Sequence, residues 1–257
     1  MTRFWLGFAF AAALTPLAAT HSPYLLPNVF ISKDRDHVTV EGSFTEGFFT
    51  PDVAMKSDDY HVTGPDGAKA GLTPTYLKDL TILEVPTAAD GTYRISSGAR
   101  VGRTAKAYEK DGQWEFLEPG ATPPEGTEAV DMQSLTLADT YVTRGKPDAK
   151  ALAPRGTGLE FVPVTHPNEA AAGDAAQFQL LFDGKPVADQ PVQLHRDGEA
   201  YAGAAPPEAK TDVEGKVAFT PVEADVYLVM TRYRMGPAAE GGPYRSYTAT
   251  VSFEAVP

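Results

Sequence analysis

The 257-residue sequence has no cysteine. Disulfides and thiolate metal sites are therefore excluded, and an oxidising compartment would leave the chain unharmed. Positive charge is scarce: 22 Lys and Arg stand against 34 Asp and Glu, a formal charge of −12. The Lys and Arg clusters that phosphate contacts need are missing, which argues against nucleic acid as a partner. After the first twenty residues no run approaches the roughly 18 apolar residues of a membrane-spanning helix. Signatures of catalysis are also lacking. "GPDG" and "GATPPEG" read as turns, and no strand-GxGxxG-helix, Walker or GxSxG phrase occurs. Adjacent acids such as Asp58 and Asp59 would point to opposite faces of a strand, not toward each other as glycosidase carboxylates do. The chain reads as a non-enzyme.

What is present begins with an export signal. Arg3 precedes the uncharged apolar run Phe4 to Leu14, which has the length of a signal-peptide core. Thr15-Pro16 breaks the run and small residues follow. Cutting after Ala19 makes His21 the second residue of the mature chain, and cutting after Thr20 makes it the first. Loss of residues 1–20 removes Arg3 and no acid, taking the formal charge to −13. The expected location is the periplasm.

Twenty-three Gly and 22 Pro, scattered without a period, mark many turns. Between them lie short alternating or β-branched segments. "HVTVEGSF" (37–44), "LTILEV" (80–85), "TYRISS" (92–97), "SLTLADTYVTR" (134–144), "AQFQLLF" (176–182), "DVYLVMTRYR" (225–234) and "SYTATVSFEAV" (246–256) are examples. No window sustains a 3.6-residue period, and "EAAA" (169–172) reads as a turn. The class is all-β, with two Ig-like or prealbumin-like sandwiches favoured over a closed barrel. "VPTAADGTYRIS" (85–96) and "TPVEADVYLVM" (220–230) form a weak repeat in which Tyr93 and Tyr227 each open a strand. Each is placed to bond backbone at a sheet-to-sheet corner. The Pro/Gly/Lys-rich stretch "RGKPDAKALAPRGTG" (144–158) suggests the boundary. The expected units are a signal peptide at 1–20, a sandwich at 21–145, a linker at 146–156 and a second sandwich at 157–257.

"GKPVADQPV" followed by "TDVEGKVAFTP" and "VYLV" resembles the prealbumin-like or carboxypeptidase-regulatory sandwich, with Val192, Leu194, Val217 and Phe219 inward. Three features together, His21 leading into "YLLP" (24–27), "VTGPDG" (62–67) and a final "YRSYTATVSF" (244–253), resemble the domain of unknown function 4198 family, often labelled NikM-like. The resemblance runs from residue 21 to the end. It implies a periplasmic protein associated with uptake of a transition metal, nickel or cobalt by label. Its implied partners are an outer-membrane TonB-dependent receptor or another envelope transport component.

Without cysteine, imidazole is the strong ligand type available to nickel, cobalt, zinc or copper. The histidines are His21, His37, His61, His166 and His195, and none shows HxH, HxxxH or HxxEH spacing. A metal site must therefore be assembled by folding. His21 leads the candidates, because near a mature N-terminus its imidazole, the α-amine and an intervening amide can close a chelate ring. His61 follows "SDDY", so Asp58 and Asp59 offer oxygen ligands. His195 lies with Gln193 on the strand face opposite Leu194. His37 and His166 read as surface and loop residues. The expected ligand set is His21 with His61 or His195. Two rivals remain: a structural or protein-interaction module of the envelope, and a carbohydrate-binding sandwich using aromatics such as Trp114 and Tyr244.

Overall fold

The computed structural model describes residues 21–199 and 205–257. The expected signal peptide lies outside the described residues. The chain is nearly all β and forms sandwich sheets. A short 3-10 turn, Pro167–Glu169, ends where "EAAA" (169–172) begins.

The described residues form three sheets. The first orders Ser22–Pro27, His37–Thr45, Thr81–Pro86 and Thr75–Tyr76, with Val53–Ala54 also paired to His37–Thr45. The third joins Leu159–Pro163, Ala176–Phe182, Lys185–Pro186 and Lys216–Phe219. Between them the large second sheet runs through both halves of the sequence. Its spine places Asp225–Met235 beside Tyr244–Ala255, and Tyr244–Ala255 beside Val130–Arg144. Val130–Arg144 then pairs with Gly91–Ser96 and with Arg100–Lys110. The pairing of Val130–Arg144 with Tyr244–Ala255 is parallel, from Met132↔Tyr244 to Thr140↔Ser252.

Alternation along Val130–Arg144 decides where the cores sit, since successive side chains point to opposite faces of a strand. Ala138 and Val142 face the first sheet and join Leu25, Val40, Leu83, Tyr93 and Ile95. Tyr141 faces the third sheet and joins Phe161, Phe178, Val229, Val251 and Phe253. The two apolar cores thus lie on opposite faces of one sheet. A smaller cluster of Tyr24, Phe48 and Leu228 fills the back of the C-terminal strands. There the first strand is held by hydroxyls: Thr250 donates to the Pro23 carbonyl at 3.0 Å and Ser252 to that of Leu25 at 2.5 Å.

Both tyrosine corners form as the repeat predicted. Tyr93 donates to the Ala89 carbonyl at 2.7 Å, and Tyr227 to that of Glu223 at 2.9 Å. In "TDVEGK" Gly215 has φ +74, and a Cβ there would lie 2.6 Å from the Leu180 carbonyl oxygen, so the turn requires glycine. Val192, Leu194, Val217 and Phe219 are buried, as their alternation implied.

The segment expected as a linker, 146–156, is not a solvated joint. Ala151 and Leu152 are buried, and Asp148 accepts the Thr92 amide at 2.9 Å. Arg94 donates to the Ala153 carbonyl at 2.8 Å, and Arg155 reaches into the interior. Composition suggested exposure, but side chains from the neighbouring strands hold the segment down. Limited proteolysis should therefore spare 146–156 and nick exposed turns such as 117–129 or 236–243 first. The fragments should stay associated through the shared sheet. Primary cleavage within 146–156 that releases a folded 157–257 fragment would refute this.

Candidate functional site

His21 opens the strand Ser22–Pro27 at the edge of the first sheet. Its Nε2 lies 3.9 Å from Glu46 Oε1 and 3.9 Å from Asp52 Oδ2. All three side chains are more than a third exposed, at 44%, 53% and 37%. The turn after His37–Thr45 supplies both carboxylates, and Asp52 is fixed in it by accepting the Glu46 amide at 2.8 Å. The separations exceed the roughly 3 Å expected between neighbouring donors at bond lengths of about 2.0–2.2 Å to one ion. Among the described residues, no three of His, Cys, Asp and Glu are spaced to hold an ion as they stand.

His61 lies elsewhere. It begins the strand His61–Thr63, opposite Ser96, with its side chain on the face turned toward the third sheet. Its Nδ1 is 2.7 Å from the Asp59 carbonyl, which can only accept, so Nδ1 carries the proton and Nε2 keeps a lone pair. Burial holds this imidazole below its ordinary pKa. Asp59 supplies that carbonyl, and its carboxylate also pairs with Lys69 at 3.1 Å. His61 lines a pocket of about 460 Å3 that includes Lys69, Arg94 and Arg155. Those cations oppose a metal ion there.

The strand face that His195 shares with Gln193 is interior at His195. This residue sits opposite Leu228, and its ring centre is 4.8 Å from that of Phe48. Burial, then the nearby Arg232 charge, pushes its pKa down to about 4. Glu199 stands 3.8 Å from Nδ1, beyond hydrogen-bonding distance. His195 faces away from the C-terminal core and His61 toward it, so the two lie on opposite faces of the second sheet. His166 is also no bare loop residue: its Nε2 is 2.9 Å from Thr92 Oγ1, and its Nδ1 accepts the Asn168 amide at 3.2 Å. His37 is exposed and bonds Asp36 at 2.9 Å. The fold therefore surrounds His21 with carboxylates instead of a second imidazole.

Sequence reasoning missed the buried ionic cluster beside the His61 pocket. Arg155 Nη2 donates to both Asp139 oxygens at 2.5 and 2.7 Å and to Ser96 Oγ at 3.0 Å. Glu160 accepts the Arg155 and Gly156 amides at 2.9 and 2.8 Å. One signal was available: Asp139 and Glu160 interrupt otherwise apolar or β-branched strands. Trp114 packs on Tyr244 at 5.3 Å, and Tyr233 and Tyr247 pack on Phe182, so these aromatics mainly contact one another or the core.

A family model described as Domain of unknown function (DUF4198) matches residues 18–235. No curated protein matches the chain. Among solved structures it is similar to the D0–D1 domain of intimin, at 14% identity and TM-score 0.24, covering 90% of this chain and 97% of that one. It is also similar to a DUF4785 family protein from Legionella pneumophila, at 9% identity and TM-score 0.24, covering 81% of this chain and 50% of that one. A third likeness is to trypsin-activated alpha-2-macroglobulin from Escherichia coli, at 14% identity and TM-score 0.23, covering 91% of this chain and 16% of that one. Each overlap is loose.

Proposed function

Because the chain belongs to the domain of unknown function 4198 family, we propose that it is an exported accessory protein that binds a divalent transition metal for an envelope uptake system. The observation that carries this reading is the meeting of His21 Nε2 with Glu46 and Asp52 at 3.9 Å each, on side chains exposed enough to close by under an ångström. One imidazole and two carboxylates make a mixed nitrogen and oxygen set suited to nickel, cobalt, zinc or copper. Trimming after Thr20 would add the α-amine of His21 as a further nitrogen donor. Carboxylates then occupy the positions expected for His61 or His195. The metal would be cargo, passed to a TonB-dependent receptor or a related envelope component.

Calorimetry on the trimmed protein with nickel or copper should show one site. His21→Ala should weaken it by more than the roughly 10–100-fold that loss of an outer-shell partner costs. Glu46→Gln combined with Asp52→Asn should weaken it less, and acid should release the metal because the nitrogen donors must be deprotonated. Equal affinity in the parent and His21→Ala proteins would refute the assignment.

A further inference from the structure

A second pocket, of about 590 Å3, opens between the first sheet and the second. Its floor is built by strand register. Arg232, Thr248, Thr136 and Arg100 form one row across four strands, and Arg234, Ser246 and Ser134 form the next. A bulge in Arg100–Lys110 continues the second row with Gly102, where a Cβ would lie 2.2 Å from Ser134 Oγ. Glycine therefore leaves room for that hydroxyl. The first row flanks two hydroxyls with guanidinium groups and the second sets one guanidinium beside two hydroxyls, so the floor consists almost wholly of groups able to donate hydrogen bonds.

The charge of the pocket opposes that of the protein. Four arginines line it, Arg103 being the fourth, and among the described residues Glu118 is the one carboxylate doing so. Arg232 and Arg234 lie side by side: burial, then Arg234, pushes Arg232 down to about 10. Arg232 donates to Ser22 Oγ at 2.7 Å. Arg100 is fixed by the Lys56 carbonyl at 2.8 Å and by the Phe44 ring at 4.9 Å. Two donors nevertheless lack hydrogen-bond partners among the described residues. They are the Oγ1 of Thr136, a residue only 8% exposed, and the Nε of Arg234, whose pKa burial holds below its ordinary value. A buried hydroxyl and a guanidinium nitrogen left unmatched are unfavourable unless a ligand completes them.

We propose that this pocket binds a small multivalent oxyanion, a carboxylate or a phosphate, held by Arg232 and Arg234 with the hydroxyls of Ser134, Thr136 and Ser246. Paired guanidinium groups match the oxygens of either group, and the Ser and Thr hydroxyls satisfy the remaining lone pairs. The volume lies within the range of small-molecule sites. The pocket is distinct from the proposed metal corner, although His21 stands at its rim.

Calorimetry on the full trimmed protein, stripped of metal, separates the two readings: citrate probes the carboxylate and inorganic phosphate the phosphate. At least one should bind, and the tighter of the two identifies the chemistry. Arg234→Gln should weaken binding by at least about tenfold, the usual effect of losing a charge-assisted hydrogen bond. Thr136→Val, which keeps the shape and removes the hydroxyl, should weaken it several-fold with the unfolding midpoint unchanged or raised. Absence of binding by both anions to the parent protein, or undiminished binding in the folded Thr136→Val and Arg234→Gln variants, would overturn the proposal. Neither result bears on metal binding, because no metal is present.

Discussion

Replacing Arg155 by Met should destabilise the protein by about 3–5 kcal/mol, the loss expected when one partner of a buried ion pair is removed. The Asp139 side chain is 2% exposed and that of Glu160 is fully buried. Arg155 touches both, with Nη2 on Asp139 and Nη1 3.6 Å from Glu160. Burial opposes its charge, yet Asp139 together with Tyr141 and Glu160 more than compensates and holds its pKa above the ordinary value. Without it, Glu160 keeps two backbone amides, while Asp139 loses its only described hydrogen-bond donor and remains a buried anion. A loss of 3 kcal/mol in a domain of this size lowers the midpoint by roughly 6–12 °C. Urea unfolding and thermal scans check this, and adding Asp139→Asn to Arg155→Met should recover part of the loss. A change under about 1 kcal/mol would mean that water reaches the cluster and screens it.

Stability should also fall steeply between pH 6.5 and pH 4, with His195 the largest contributor. Its pKa is about 4 in the folded protein, against 6.5 for the free imidazole. The unfolded chain therefore takes up a proton through this window while the folded protein does not. The contribution is fully present above pH 6.5 and lost as pH falls through 4. It is worth on the order of 3 kcal/mol by the usual conversion of pKa differences. Burial lowers His61 and His166 too, so they act in the same direction. Glu41 acts in the opposite direction: burial raises its pKa, so acid favours its folded form. Chemical unfolding across pH 4–7.5 checks the slope, which His195→Leu should flatten. An unchanged slope in that variant would assign the effect elsewhere.

The strands were legible because alternation reports burial directly, and the tyrosine corners because a Tyr opening a strand has one backbone partner within reach. Ser22–Pro27 was harder to recognise as a core strand, since "YLLP" continues the apolar character of the residues before it. Exposure of 146–156 was inferred from composition, but Arg155 is buried by acids from two other strands, which no local pattern reveals. His195 was placed on the correct strand face. That the outer face of one sandwich is covered by the first strand and Phe48 depends on contacts far apart in sequence. The oxyanion pocket was invisible for the same reason, because its arginines come from two segments more than a hundred residues apart.

The parallel pairing of Val130–Arg144 with Tyr244–Ala255 also constrains the order of assembly. The paired residues are 112 positions apart, from Met132 with Tyr244 to Thr140 with Ser252. Closing so long a loop is slow and is compensated only when the ladder forms. A chain emerging N-terminus first would present residues 21–145 with positions 132–140 unpaired along one edge until residues 244–255 arrived. The final strand thus acts as a latch, and premature closure of the N-terminal half is disfavoured until that strand has been made.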